Sequence, residues 1–96
     1  MSQQPIVLIV DDDTVFLTVT SSMVKKIGYP VLNARDGREA LDIFENYPNE
    51  IGCVLLDMQM PRMDGLETFQ RIREKWLNVK VVVISGFFSP DSRARL

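Results

Sequence analysis

Three aspartates at the ends of two apolar runs are the residues of this sequence best placed to do chemistry. Asp11 and Asp12 follow the run Ile6–Val10, and Asp57 follows the run at residues 53–56. Runs this apolar are typical of strands covered on both faces, as in parallel sheets. The carboxyl ends of parallel strands meet at one edge of the sheet, where ligands bind in open α/β folds. We therefore expect the three carboxylates to converge there.

Converging carboxylates need a reason to stay together, because two unit charges about 4 Å apart repel by roughly 4 kcal/mol at an effective dielectric near 20. Such a cluster must hold a proton, bind a cation or splay apart. Only oxygen ligands are available and the chain has no histidine, so a hard ion is favoured, Mg²⁺ above all. Plainer interpretations stay open. Asp11 and Asp12 are also compatible with a turn, Asp57 with a simple strand end, and Asp13 with a helix N-cap.

Strands and helices are predicted to alternate along the chain. The predicted strands lie at residues 6–10, 31–34, 53–56 and 81–84. Helical patterns separate them, which implies parallel strands with right-handed crossovers. The predicted architecture is therefore a three-layer α/β sandwich.

The three helices are predicted from their end signals and their apolar spacing. The first begins at Asp13 and ends at Gly28, a turn at residues 36–37 precedes the second, and Asp64 with Glu67 forms a capping box for the third. The side chains predicted to form the apolar stripes are Phe16, Val19, Met23, Val24 and Ile27, then Ala40, Leu41, Phe44 and Tyr47, then Leu66, Phe69, Ile72, Arg73 and Trp76.

Composition narrows the class of protein. The 96 residues suit one small domain, and a net charge of −2 with a pI near 5.0 argues against nucleic acid and anionic membranes as partners. The lone Cys53 cannot form an internal disulfide and is interpreted as a small core residue in a reducing compartment. No apolar run approaches the roughly 20 residues of a membrane span, and no signal peptide opens the chain. We therefore expect a cytoplasmic protein.

Three motifs in order make the chain resemble the receiver domain of two-component response regulators. They are IVLIVDDD at residues 6–13, VLLDMQMPRMDG at 54–65 and VVVISG at 81–86. The resemblance implies the flavodoxin-like fold with strand order 2-1-3-4-5. It also implies a signalling domain that assists its own phosphorylation and dephosphorylation, not an enzyme with a substrate turnover.

The resemblance further implies a role for particular residues. Asp57 accepts a phosphoryl group from the phosphohistidine of a sensor histidine kinase or a phosphotransfer protein. Asp11, Asp12 and Asp57 hold Mg²⁺ together with the main-chain carbonyl of Gln59. Ser85 is the switch hydroxyl.

The sequence departs from the family after its fourth strand. Family receivers continue into a fifth strand that carries a lysine, whereas this sequence ends at Leu96, so we expect a shortened receiver spanning residues 1–96 with strand order 2-1-3-4. Lys80 begins the fourth strand at the wrong end of the sheet to replace that lysine. Arg62 is a candidate for supplying some of the missing positive charge beside the phosphoryl group.

The same departure predicts an open fourth-strand edge. Residues 81–84 are apolar on both faces, and an uncovered apolar edge is prone to association. We expect this edge to pair with a second copy in a homodimer, or to be covered by the segment that contains Phe87 and Phe88.

Three functional hypotheses follow. The leading one is a receiver that binds Mg²⁺ and is phosphorylated on Asp57. The second is a degenerate receiver that serves as a protein-interaction or dimerisation module without productive phosphorylation. The third, a Mg²⁺-dependent phosphohydrolase with Asp57 or Asp11 as its nucleophile, is least favoured because the sequence shows no sign of the separate lysine and cap usual for that class.

Overall fold

Four parallel strands and three helices alternate in the computed structural model, which describes residues 4–57 and 65–84. The sheet order is β2-β1-β3-β4, and every neighbouring pair is parallel. This confirms the predicted topology. The elements are β1 (Ile6–Val10), α1 (Thr14–Ile27), β2 (Val31–Ala34), α2 (Gly37–Asn46), β3 (Ile51–Asp57), α3 (Gly65–Lys75) and β4 (Lys80–Ile84).

The helices cover the sheet from both sides, as a sandwich of three layers requires. Alternate residues of a strand point to opposite faces. On one face Leu8 and Val10 pack in a buried cluster with Phe44 of α2 and Ile72 of α3. On the other face the core is smaller and consists of Val7, Ile9 and Leu17, the last from α1. The larger buried cluster therefore lies on the face covered by α2 and α3.

An aromatic contact and an ion pair join α2 to the end of α3. The Phe44 ring lies 4.5 Å from the Trp76 ring, centroid to centroid. Phe44 is fully buried, so this contact belongs to the core. At the surface, Lys75 Nζ lies 2.6 Å from Glu45 Oε2, and Lys75 also lies over the Trp76 ring. An exposed pair of this kind contributes little stability, so the contact of Phe44 with the partly buried Trp76 contributes more.

Helix ends follow the sequence signals at α1 but not at α2. Asp13 accepts hydrogen bonds from the main-chain N–H groups of Val15 and Phe16, and Gly28 ends α1 with φ of 115°. Both were predicted. The turn predicted at residues 36–37 is wrong, because Asp36 is the N-cap of α2 and Gly37 is its first residue. The expected cap at residue 64 lies outside the described residues.

Strand β3 is longer than the apolar run that predicted it, and it carries an irregularity at its start. Ile6 pairs with Ile51 but Val7 pairs with Cys53, so Gly52 is an extra residue opposite β1. A Cβ atom added at Gly52 would lie only 2.6 Å from the Cβ of Pro5. The close approach of the Pro5 ring to the Gly52 backbone explains why glycine occupies this position.

Parts of the predicted apolar stripes face solvent. In α1 the buried residues are Leu17 and Ser21, whereas Val19, Met23 and Ile27 are exposed. Tyr47 and Leu66, also predicted to lie in the apolar stripes, are exposed as well. These residues therefore do not share a buried stripe with the other apolar residues of their helices. Across the described ranges 4–57 and 65–84, we find no helix whose length and apolar character would suit a membrane span.

Candidate functional site

The strand register brings the predicted acidic residues to one edge of the sheet. Val10 pairs with Leu56, so the residues that follow each of them, Asp11 and Asp57, lie at the same level. The main-chain N–H of Asp11 also donates to the Ala34 carbonyl at 3.0 Å, which extends the contact between β1 and β2 by one residue. The neighbouring parallel strands β1 and β3 thus each place one carboxylate, Asp11 and Asp57, at the same edge of the sheet.

Asp11, Asp12 and Asp57 form a cluster with the dimensions of a metal site. One carboxylate oxygen from each lies within 4.8 Å of the others. Asp11 and Asp57 are buried, whereas Asp12 is exposed. Hard divalent cations such as Mg²⁺ prefer a donor set made of carboxylate oxygens. The three side chains therefore fit such an ion without rearrangement of the strands.

The electrostatics of the cluster are unfavourable without a counter-charge. The pKa of Asp11 is raised from 3.8 to about 6, mainly by burial and in addition by the negative charges of Asp57, Asp12 and Asp13. The hydrogen bond from the main-chain N–H of Asp13, 2.9 Å long, acts in the opposite direction and only partly offsets the burial. A proton or a cation at this edge therefore reduces the electrostatic cost of keeping Asp11 buried beside the other acids.

Asp13 connects the cluster to α1. Its main-chain N–H donates to Asp11 Oδ1, and its own carboxylate accepts from Val15 and Phe16 at 2.9 and 3.3 Å. The acidic edge and the first turn of α1 therefore share one residue, whose main chain contacts the site and whose side chain begins the helix.

The remaining predicted site residues fall into two groups. Gln59, Arg62 and Ser85 lie outside the described residues. Lys80 pairs with Cys53, at the opposite end of β3 from Asp57, so its predicted distance from the acidic edge is confirmed. Burial raises the pKa of the Cys53 thiol and nearby Lys80 lowers it in part, so that lysine acts on the far end of the sheet.

The family model for the response regulator receiver domain matches residues 7–96. This chain belongs to that family. Among named relatives, it is 35% identical over 85 residues to the autoinducer 1 sensor kinase/phosphatase LuxN of Vibrio campbellii, covering 88% of this chain and 10% of LuxN. It is 36% identical over 87 residues to the response regulator MprA of a Mycobacterium species, covering 91% of this chain and 37% of MprA. The chain thus spans only a small part of these relatives.

Solved receiver structures share the fold as well. A CheX–CheY–BeF3–Mg²⁺ complex from Borrelia burgdorferi matches with a TM-score of 0.83 and 31% identity, over 93% of this chain and 67% of that chain. The response regulator TrrA of Thermotoga maritima, with Mg²⁺ and BeF, matches with a TM-score of 0.80 and 28% identity, over 97% and 77% of the two chains. The flavodoxin-like assignment is therefore confirmed by structure as well as by sequence.

Sequence reasoning did not recognise the surface of α1. It placed Val19, Met23 and Ile27 in one apolar stripe with Phe16 and Val24, although the first three are exposed, as is Val15. The available signal was the strict four-residue spacing of these side chains, which continues from Val15 to Ile27 and does not include the buried Leu17.

Proposed function

We propose that this receiver domain accepts a phosphoryl group on Asp57 and does so with Mg²⁺ bound at the acidic edge. The observation that carries the proposal is the convergence of Asp11, Asp12 and Asp57, with carboxylate oxygens within 4.8 Å of one another. Family membership supports it, because the match includes the segments that bear all three residues. The ligands would be these carboxylates and the main-chain carbonyl of Gln59.

The phosphoryl donor would be a phosphohistidine on a sensor kinase or phosphotransfer protein. A carboxylate oxygen of Asp57 attacks phosphorus in line with the leaving nitrogen, the N–P bond breaks as the O–P bond forms, and the imidazole keeps the electron pair. The product is an acyl phosphate on Asp57. Phosphoryl transfer of this kind mainly needs a positioned nucleophile and neutralised charge.

The fold positions Asp57 as the nucleophile, and the carboxylates at this edge are the ligands that would hold the metal. Burial of Asp57 at the end of β3 restricts the directions from which a donor can approach. Asp11 is held by the Asp13 N–H, so its carboxylate has a fixed orientation beside Asp57. Mg²⁺, when bound, offsets the negative charge of the acids and of the phosphoryl oxygens. Ser85 remains our candidate for the switch hydroxyl, and Arg62 for an additional positive charge.

Treatment with acetyl phosphate or beryllofluoride tests the proposal. We expect Mg²⁺-dependent modification of the wild type, measured by intact mass for the phosphoryl group and by a chemical-shift change for beryllofluoride. Asp57→Asn should be inert, whereas the matched control Asp42→Asn, an exposed acid on α2, should react normally. An unmodified wild type that is folded and saturated with Mg²⁺ would reject the proposal.

That inert outcome would favour the second candidate, a degenerate receiver that acts only through protein contacts. The observation in its favour is the position of Lys80 at the end of the sheet opposite Asp57. The response of the wild type to acetyl phosphate therefore distinguishes the phosphorylated receiver from the degenerate one.

Several further expectations stay predictions. They are the assignment of residues 1–96 to one receiver unit, a cytoplasmic location, the absence of nucleic-acid binding and of substrate turnover, and homodimerisation through the β4 edge. Val82 and Val83 in β4 are about half exposed, which is compatible with pairing at that edge. Light scattering across a concentration series tests the dimer, and a clean monomer would contradict it.

A further inference from the structure

Arg35 lies in one row with two of the acids at the carboxyl edge of the sheet. The register of β1 with β2 and with β3 makes Arg35, Asp11 and Asp57 the residues that follow three aligned strand positions. The main-chain N–H of Asp11 donates to the Ala34 carbonyl at 3.0 Å, the hydrogen bond that sets Arg35 opposite Asp11 in a parallel pair. Neighbouring strands lie about 4.8 Å apart, so Arg35 begins one strand from Asp11 and two strands, roughly 10 Å, from Asp57.

The side chain of Arg35 starts from the same face of the sheet as those of Asp11 and Asp57. The residue before each of them packs in the buried cluster beneath α2 and α3. Successive residues of a strand alternate between the two faces, so these three side chains start from the opposite face, where α1 lies. Arg35 forms no ion pair with any residue in the ranges 4–57 and 65–84. Its guanidinium is therefore available to an anion that arrives at this edge.

The main chain at Arg35 is held by the cap of α2. Its N–H donates to Glu39 Oε1 at 2.7 Å, and the Glu39 N–H donates to Asp36 Oδ1 at 2.9 Å. This reciprocal pair resembles a capping box, and Asp36 is buried. The Arg35 backbone therefore has a fixed place beside the acids, and only its side chain has to move to reach a bound anion.

Arg35 differs in position from the other positive side chains of the described residues. Because the helices run back from the carboxyl edge of the sheet, cations in the second half of a helix or at the start of a strand lie toward the opposite edge. Six of the eight cations in residues 4–57 and 65–84 are of this kind: Lys25, Lys26, Arg71, Arg73, Lys75 and Lys80. Arg38, in the first turn of α2, lines a cleft between α2 and α3 on the other face. In this part of the chain, Arg35 alone shares both the edge and the face of the acids.

The acidic edge has use for positive charge beyond that of a metal ion. The three clustered carboxylates and one Mg²⁺ together carry a single net negative charge before a donor arrives. A phosphoryl donor such as acetyl phosphate is itself an anion, so it approaches against that charge. A guanidinium offers two parallel N–H donors to phosphate oxygens and keeps its own proton throughout the physiological pH range.

We propose that Arg35 is a phosphate-binding residue of this site, whose guanidinium extends across Asp11 to the phosphoryl oxygens of the incoming donor. This role rests on the function proposed above and adds to it a residue from the β2 side of the sheet. Asp57 remains the nucleophile, and Arg35 donates hydrogen bonds without giving up a proton. The contact attracts the donor and offsets the charge of the phosphoryl oxygens that stay bonded to phosphorus.

Rates of modification by acetyl phosphate at saturating Mg²⁺, followed by intact mass, test this role. We expect Arg35→Gln to lower the second-order rate constant about fivefold or more, the order expected for removing one positive charge a few ångströms from an anion. Arg35→Lys should react at an intermediate rate, because it keeps the charge and loses the paired N–H donors. Arg38→Gln removes the same charge on the other face and should keep the wild-type rate. All three variants should unfold at the wild-type urea concentration, because the Arg35 side chain has no ion pair to lose within the described ranges.

Ionic strength separates a direct charge contact from an indirect effect on the fold. The difference in rate between wild type and Arg35→Gln should shrink as NaCl rises from about 20 mM to about 0.5 M, because salt screens exposed charges. A difference that salt does not change, or an equal loss of rate in Arg38→Gln, would overturn the proposal.

The same rates distinguish failure of this role from failure of the proposed function. Equal rates for wild type and Arg35→Gln would exclude Arg35 from phosphate binding and leave phosphorylation of Asp57 standing. A wild type that acetyl phosphate does not modify would reject the proposed function, and the role of Arg35 with it.

Discussion

Replacing Asp11 by asparagine is expected to stabilise the metal-free protein at neutral pH, although it removes a proposed metal ligand. The substitution keeps an oxygen that can accept the hydrogen bond from the Asp13 N–H, which is 2.9 Å long in the wild type. It removes the negative charge of Asp11, which burial and the neighbouring acids disfavour. Wild-type Asp11 has its pKa raised to about 6, so the folded state holds its proton more tightly than the unfolded state does.

The sign and size of the effect follow from this difference. The stabilisation from the bound proton is fully present below about pH 4, and it is lost as the pH rises through 6. A rise of about two pKa units corresponds to roughly 3 kcal/mol for a fully shielded group. Solvent screening at the open edge of the sheet lowers our expectation to about 1–2 kcal/mol.

Urea unfolding in EDTA, at several pH values from 4 to 7.5, measures the difference in the free energy of unfolding between Asp11→Asn and wild type. We expect Asp11→Asn and wild type to converge near pH 4 and Asp11→Asn to be more stable by about 1–2 kcal/mol at pH 7.5. Added Mg²⁺ should stabilise the wild type more than the variant, because a ligand that binds only the folded state raises the free energy of unfolding. Asp42→Asn, at an exposed site on α2, is the control and should follow wild type at every pH.

Two results would refute this reasoning. One is an Asp11→Asn protein that is less stable than wild type at pH 7.5 without metal. The other is a difference between the two proteins that does not change with pH. Either would mean that the Asp11 carboxylate is not destabilised by its surroundings in the folded state.

Three further substitutions test the fold. Phe44→Ala should lower the free energy of unfolding by about 3–5 kcal/mol in urea denaturation, because it empties a fully buried position and removes the ring against Trp76; a loss below 1 kcal/mol would contradict that packing. Asp13→Ala should cost about 1 kcal/mol through the lost α1 cap, and an unchanged unfolding midpoint would argue against the cap. Gly52→Ala should cost about 1–3 kcal/mol because its Cβ would meet the Pro5 ring, and wild-type stability would show that the ring moves away easily.

Sequence predicted the sheet and the convergence of the acids because both depend on short, strong patterns. Short, fully apolar runs are typical of strands in parallel sheets, and strict alternation with helices predicts that the strands are parallel. Once Val10 and Leu56 are neighbours across β1 and β3, the acids that follow them have no other place to lie. The metal-like grouping of Asp11, Asp12 and Asp57 is thus a consequence of register.

The direction of α1 could not be predicted in the same way. Leu17 and Val24 lie on one side of the helix and Val19 and Met23 on another, and either set has helical spacing. Which set is buried depends on how the helix is placed against Val7 and Ile9 of β1, a tertiary relation that helical periodicity does not contain. The sequence pattern does not separate the two sides of the helix. It therefore predicts a single apolar stripe, whereas α1 has apolar residues on two sides.

The double use of Asp13 gives the protein a natural spectroscopic reporter of its acidic edge. The amide protons of Val15 and Phe16 are bonded to the Asp13 carboxylate, while the Asp13 amide proton is bonded to Asp11. A change of charge or geometry at Asp11 therefore reaches three backbone nuclei within a few ångströms of it. Occupancy of the edge can be followed through their resonances without labelling a side chain or attaching a dye.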